Sequence, residues 1–304
     1  APDWIELYNT TDTAIDIGGW TFSDSLTNLA KYRIADGTTI GAYSYRVFYE
    51  DTQFNNATDP GCLTPFAFSE NGDSLYLTAD TGGYTTEVHF GASETGVSFG
   101  RYVTSDGIDV FVLMSSTTAN AENAEPKVGP VVISEIMYNP PVGGMYPADD
   151  YEYIELHNTT ASPVTLQYYD PALGVTLGWK LTAGIDYTFP LATTIPANGY
   201  LAITRNPAAF TARYGSPAGV QILGPFANDT MLSNDGERIE LSKPGDTDTE
   251  ATRYYIQGDA VRYSDQAPWP ASPDGLGQSL NRIDGSDYGD DVINWQSLPP
   301  TPGS

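Results

Sequence analysis

The chain has 304 residues, enough for two ordinary domains that each bury a core of their own. Thirty-nine acidic against 13 basic residues leave a formal charge of −26 at pH 7, which repels phosphate backbones and anionic headgroups and argues against nucleic acid as a partner. The lone Cys62 rules out an intrachain disulfide, and no run approaches the roughly 18–20 apolar residues of a membrane-spanning helix, so no membrane insertion is expected.

In chain order, the first element is Trp4-Ile5-Glu6-Leu7-Tyr8, whose alternation makes a half-buried strand with Ile5 and Leu7 on one face. The side-chain oxygens of Asn9-Thr10-Thr11 then bend the backbone into a turn. Short strands parted by glycine turns follow at residues 14–17 and 20–22, with Trp20 expected to fill a core. Residues 43–49 carry the aromatic and β-branched content of a strand. Residues 69–73 read as a tight hairpin signal ahead of a strand at 74–77. Further strands are expected at 85–90, 100–103 and Asp109–Leu113.

A polar, small-residue segment from 115 to 130 separates this copy from a second one; the expected boundaries are 1–120, a linker at 121–130, and 131–304. The second copy opens with a strand at 131–138 that has no counterpart ahead of Asp3. Glu152-Tyr153-Ile154-Glu155-Leu156-His157-Asn158-Thr159-Thr160 then repeats the first stretch, Gly178-Trp179-Lys180-Leu181 repeats the Trp20 strand, and residues 193–200 and 232–241 repeat 38–43 and 68–77. The shared order establishes a duplication. Many short strands and no amphipathic helix beyond a brief turn at Pro207–Tyr214 predict an all-β chain of two tandem antiparallel β-sandwiches. The largest insertion, 167–177, carries Tyr168, Tyr169 and Asp170. A loop grafted onto a rigid sandwich is a natural ligand contact, and a structural lid over the sheet is its competing role.

Several patterns invite an enzymatic reading. Gly96-Val97-Ser98-Phe99-Gly100 fits the G-x-S-x-G elbow, but a strand, Arg101-Tyr102-Val103, follows where a helix is required. His89 and His157, with one cysteine, are too few and too scattered for a zinc or copper centre, so no catalytic or metal residues are expected. The acidic segment 284–291 has the oxygen ligands for Ca²⁺, but Tyr288 breaks the EF-hand spacing and a solvated loop is the better reading. Glu6 and Glu155 occupy the same place in the two repeats; each is expected to bond a neighbouring turn or strand. Sequons begin at Asn9, Asn56, Asn158 and Asn228 and read as turn chemistry rather than glycosylation sites.

Ile133-Ser134-Glu135-Ile136-Met137-Tyr138-Asn139-Pro140, Glu152 through Asn158, Ile195-Pro196-Ala197-Asn198-Gly199-Tyr200, Leu232-Ser233-Asn234-Asp235-Gly236-Glu237, Gly277-Gln278-Ser279-Leu280-Asn281-Arg282 and Thr301-Pro302-Gly303 together resemble the bacterial lamin tail domain. The resemblance implies an immunoglobulin-like sandwich in each copy, the first lacking its opening strand. It also implies an extracellular or cell-surface setting as an accessory of larger secreted proteins, and it carries over no catalytic residues or cofactor. The missing strand and the ending at Pro302-Gly303-Ser304 point to a piece of something longer. The expected function is a structural or adhesive spacer that contacts other protein domains. The alternatives are a filament or sheath subunit that self-associates by β-strand addition, and a carbohydrate-binding module that takes glycans through Tyr168 and Tyr169.

Overall fold

The computed structural model describes residues 2–81, 83–248 and 252–304. The chain divides into two compact units, Ala1–Tyr102 with Phe111–Pro126, and Val103–Val110 with Lys127–Ser304. Residues 121–130 are thus shared between the two, and Ser115 N donates to Glu125 O at 2.9 Å inside the first.

The second unit is a two-layer sandwich. One sheet has six strands in the order Gln221–Leu223, Tyr200–Thr204, Tyr153–Asn158, Val131–Met137, Ser279–Arg282 and Trp295–Leu298. The other has four: Tyr187–Thr188, Lys180–Ala183, Gly236–Thr247 and Arg253–Ser264. Alternation decides the layers. Ile154 and Leu156 pair with Ile203 and Leu201 and point into the core beside Ile133, Ile136, Trp179, Leu181, Ile239 and Val261, all buried. The intervening residues Tyr153, Glu155 and His157 point to the outer face of the six-stranded sheet.

Among the described strands of this unit the ladders are antiparallel except for one. Gln221–Leu223 runs parallel to Tyr200–Thr204, because the helix Pro207–Tyr214 carries the chain back along the outer face. That helix starts where Asn206 Oδ1 accepts from Ala208 N (3.1 Å) and Ala209 N (3.3 Å), with Pro207 in its first turn, and it ends at Gly215 with φ 81°. Its Phe210 and Tyr214 pack on Tyr153, which explains why a turn that looks marginal alone persists as a helix.

The first unit repeats the plan. Trp4–Tyr8 pairs with Tyr45–Tyr49, and a four-stranded sheet runs Tyr32–Arg33, Thr21–Ser23, Gly72–Thr78, Thr85–Gly91. Its core holds Ile5, Phe22, Ile34, Phe48, Phe54 and Phe66. Trp20 is only partly buried at the rim of that core, whereas its counterpart Trp179 is buried. A π-helical turn at Glu50–Phe54, unmarked by any local pattern of residues, places Phe54 on Phe66 with their rings stacked at 4.9 Å. No helix among the described residues is long and apolar enough to cross a membrane.

Candidate functional site

Polar residues at matching positions hold matching backbone groups in both units. Asn9 Nδ2 donates to Thr13 O (2.7 Å), Ile40 O (3.2 Å) and Gly41 O (2.8 Å), while its Oδ1 accepts from Thr11 N (2.9 Å) and Oγ1 (2.8 Å). Asn158 makes the same five bonds, donating to Ser162 O (2.8 Å), Ile195 O (3.1 Å) and Pro196 O (2.8 Å) and accepting from Thr160 N (3.0 Å) and Oγ1 (2.8 Å). Both amides are buried. These two sequons are turn locks, with their nitrogens engaged in the fold.

Glutamate does the same one pleat earlier. Glu6 Oε2 accepts from Asn120 N at 2.5 Å, and Glu155 Oε2 accepts from Gly303 N at 2.5 Å. Each donor is the third residue of a turn, with Ala121 N on Thr118 O (3.0 Å) and Ser304 N on Thr301 O (3.1 Å). Asn120 (φ 65°) and Gly303 (φ 97°) supply the left-handed conformation such a turn needs, and Pro302 sets the residue before it. The other Glu155 oxygen accepts from Ser134 Oγ at 2.8 Å. Glu135, directly across the ladder, accepts from Ser279 Oγ and from Thr301 N (3.1 Å). Two further clamps recur: Phe68 N donates to Asp3 where Leu232 N donates to Glu152 (2.9 Å), and Ser69 N to Asp73 (3.2 Å) where Ser233 N donates to Glu237 (2.7 Å).

Burial sets the electrostatics of this face. Desolvation pushes Glu155 up to about 8 against the bonds from Ser134 and Gly303, and Glu152 up to about 8 against those from Leu232 and Arg205. Burial also lowers the pKa of His157, against the opposing bond to the Asn198 backbone. A carboxyl that binds its proton more tightly folded than unfolded contributes stability that is whole below about 4.5 and is lost as pH rises towards 8. The midpoint of thermal unfolding of the second unit should therefore fall between pH 5 and pH 9, with a shallower slope in Glu155→Gln; equal slopes in the two proteins would refute the assignment.

The structure brings the other sequence candidates into structural roles or leaves them apart. Residues 167–178 form a hairpin, Gln167–Asp170 with Val175–Gly178. Tyr168 Oη donates to Asp246 at 2.9 Å, and Asp170 accepts from Arg253 Nη2 at 2.5 Å and from Ala172 N and Leu173 N. The Arg253 bond holds the Asp170 carboxyl below its ordinary range. Tyr169, opposite Thr176 in the hairpin, is 60% exposed. Gly96–Gly100 is the counterpart of Gly277–Asn281: Ser98 directly precedes the strand Phe99–Val103, and Ser279 opens the strand Ser279–Arg282. The spacing G-x-S-x-x-R, present in both copies, was the available signal for that equivalence. His89 is bonded to Ser74 Oγ at 2.8 Å on an exposed strand. In the acidic loop, Asp290 accepts from Arg262 N and Arg238 Nη1, and Asp284 from Ser286 N and Oγ. Among the described residues no three His, Cys, Asp or Glu side chains are grouped so as to hold a metal ion.

Sequence reasoning missed one polar core feature. Arg282 Nη1 donates to Asp259 Oδ2 at 2.7 Å, with side-chain exposures of 1% and 5%. The guanidinium also reaches Ile133 O (3.3 Å) and Asp287 O, while Asp259 Oδ2 accepts from Ile133 N (2.8 Å). This ion pair joins the two sheets through the edge of the core.

Two repeated immunoglobulin-like sandwiches, whose matching polar groups hold their own turns, define a tandem β-module. The chain belongs to the Lamin Tail Domain family, whose pattern matches residues 1–92 and 124–257; it is a family of non-enzymatic domains. No curated protein matches the chain significantly. It is also similar to a DUF4876 family protein from Bacteroides thetaiotaomicron VPI-5482, at 11% identity and a TM-score of 0.37 over 99% of this chain and 96% of that one. A likeness at that level fixes neither function nor details of fold.

Proposed function

We propose that the chain is a non-catalytic module of the extracellular space, a structural spacer or interaction unit that contacts other protein domains. The observation that supports this reading is the repetition of the clamps: the carboxylates and amides that would have to be free for catalysis hold backbone in both units. The charge of −26 suits a solvated surface of this kind. Assay of the purified chain against ester, phosphoester and glycoside substrates should give no turnover above buffer; saturable turnover that survives repurification would overturn the reading.

A second reading, association by β-strand addition, is favoured by a difference between the units. In the second, Val131–Met137 lies between Tyr153–Asn158 and Ser279–Arg282 and bonds to both. In the first, the corresponding strands Trp4–Tyr8 and Phe99–Val103 sit in separate two-stranded sheets. A sheet edge with unpaired N–H and C=O groups is a template for a further strand. The strand that fits is patterned like Val131–Met137, apolar on both faces with a serine placed to bond Glu6 as Ser134 bonds Glu155. Its entry has to displace the contact of Asn123 Nδ2 with Arg101 O at 3.0 Å. Light scattering after size exclusion should then show mass rising with protein concentration. A monomer at every concentration would leave the spacer reading and remove self-assembly.

A further inference from the structure

The outer face of the second unit carries a feature unconnected with strand addition. Beside the Glu155 clamp lies a cleft of about 250 Å³ that crosses four neighbouring strands, from Tyr200 past His157, Glu155 and Ser134 to Asn281, with Asp284 at its rim. One wall is flat: His157 and Tyr200 are a cross-strand pair whose rings stack at 4.4 Å and 12°. Stacking fixes both rings, and both contribute aromatic surface to the cleft.

The polar lining narrows the ligand. Arg282, a cation lining the cleft, has Nη1 and Nη2 engaged with Asp259, Ile133 O and Asp287 O, which leaves only its buried Nε without a partner among the described residues and no two-donor fork to hold an anion. Glu155 is buried and already accepts two hydrogen bonds, which leaves it no role as the counter-charge for a cation. Asn281 Nδ2 donates to Ser279 O and Oγ, and Asp284 Oδ1 accepts from Ser286. Among the described residues no partner engages Asn281 Oδ1, Asp284 Oδ2 or the Tyr200 hydroxyl. Two planar acceptors and a phenol around a flat aromatic wall match a molecule with one apolar face and a ring of hydroxyl donors. The volume lies below the roughly 300–1,000 Å³ of pockets for drug-sized ligands, which suits a single ring.

We propose that this cleft binds one residue of a neutral saccharide, its apolar ring face against the His157–Tyr200 stack and its hydroxyls on Asn281, Asp284 and Tyr200. The assignment places glycan contact on the sheet rather than on the Tyr168–Tyr169 hairpin. It is confined to the second unit. The first repeats the stack, Tyr8 on Tyr45 at 4.6 Å, but has Gly100 where Asn281 stands and so lacks that acceptor.

The test is saturation-transfer NMR and calorimetry on the whole chain with glucose, galactose, mannose, N-acetylglucosamine and their β1,4-linked trimers. The expected result is saturable binding of at least one probe at one site. Tyr200→Ala and, on the exposed rim, Asp284→Ser should each weaken it about tenfold or more, while Tyr8→Ala leaves it unchanged. Thermal melts of each variant confirm that the fold is intact, and the rim variant keeps the test decisive if Tyr200→Ala unfolds. Absence of saturable binding by every probe, or binding that survives both substitutions, overturns the proposal. Neither outcome bears on strand addition, which is read in the other unit.

Discussion

Arg282→Ala should destabilise the second unit by about 3–5 kcal/mol, the cost of leaving a buried carboxylate without its partner. Asp259 sits 5% exposed between the sheets, and desolvation already raises its pKa against the opposing pull of Arg282. Without the guanidinium it must either ionise uncompensated or take up a proton, and Ile133 O and Asp287 O lose a donor as well. The apolar double variant Arg282→Met with Asp259→Leu should recover much of the loss, because a well-packed hydrophobic pair avoids the desolvation cost altogether. Recovery stays incomplete, since Ile133 N–H then lacks the acceptor it now has at 2.8 Å. Urea titration followed by tryptophan fluorescence checks this; a single variant within about 1 kcal/mol of the parent, in the range of an exposed pair, would contradict the burial argument.

The second large effect is expected at Asn158. Asn158→Ala removes five hydrogen bonds at once and frees three backbone carbonyls, of which that of Ile195 is left unsatisfied inside the core while those of the exposed Ser162 and Pro196 can turn to water. With a buried unsatisfied group costing about 1–3 kcal/mol, the loss is on the order of 3 kcal/mol or more. Asn9→Ala breaks the same five contacts in the first unit and should cost a similar amount there. The informative comparison is by unit. Hydrogen exchange should show each substitution loosening its own sandwich and leaving the other as protected as in the parent. Loss spread evenly over both would mean that the two copies do not fold as separate cores.

Much of this architecture was legible in the residues. Alternation around Ile5 and Leu7, and around Ile154 and Leu156, fixed which face is buried, and the Asn-Thr-Thr that follows marked the turn. The strand Asp109–Leu113 has the bounds its β-branched run implies. The place of Glu6 and Glu155 was also legible, because a polar residue repeated inside an apolar alternation needs a partner, although the partners lie 114 and 148 residues away. Long-range pairing was the part hidden from view. In a chain with 39 acidic residues, nothing local distinguishes the buried Asp259 from a solvated one, and Arg282 reads as the polar end of a strand. The parallel strand Gln221–Leu223 was hidden for a related reason: it is three residues long, and the helix ahead of it is held by Tyr153 rather than by its own sequence. The cleft at Tyr200 escaped notice because its lining is drawn from five separate stretches, whereas Tyr168 and Tyr169 lay together in one insertion.

Hydrogen–deuterium exchange with and without a peptide spanning residues 130–140, Pro-Val-Val-Ile-Ser-Glu-Ile-Met-Tyr-Asn-Pro, tests the interaction reading most directly. Interaction by strand addition predicts that the peptide slows exchange in Trp4–Tyr8 and Phe99–Val103, the two strands whose counterparts flank Val131–Met137 in the second unit, and leaves Tyr153–Asn158 unchanged. Unaltered exchange in both strands at saturating peptide would contradict it.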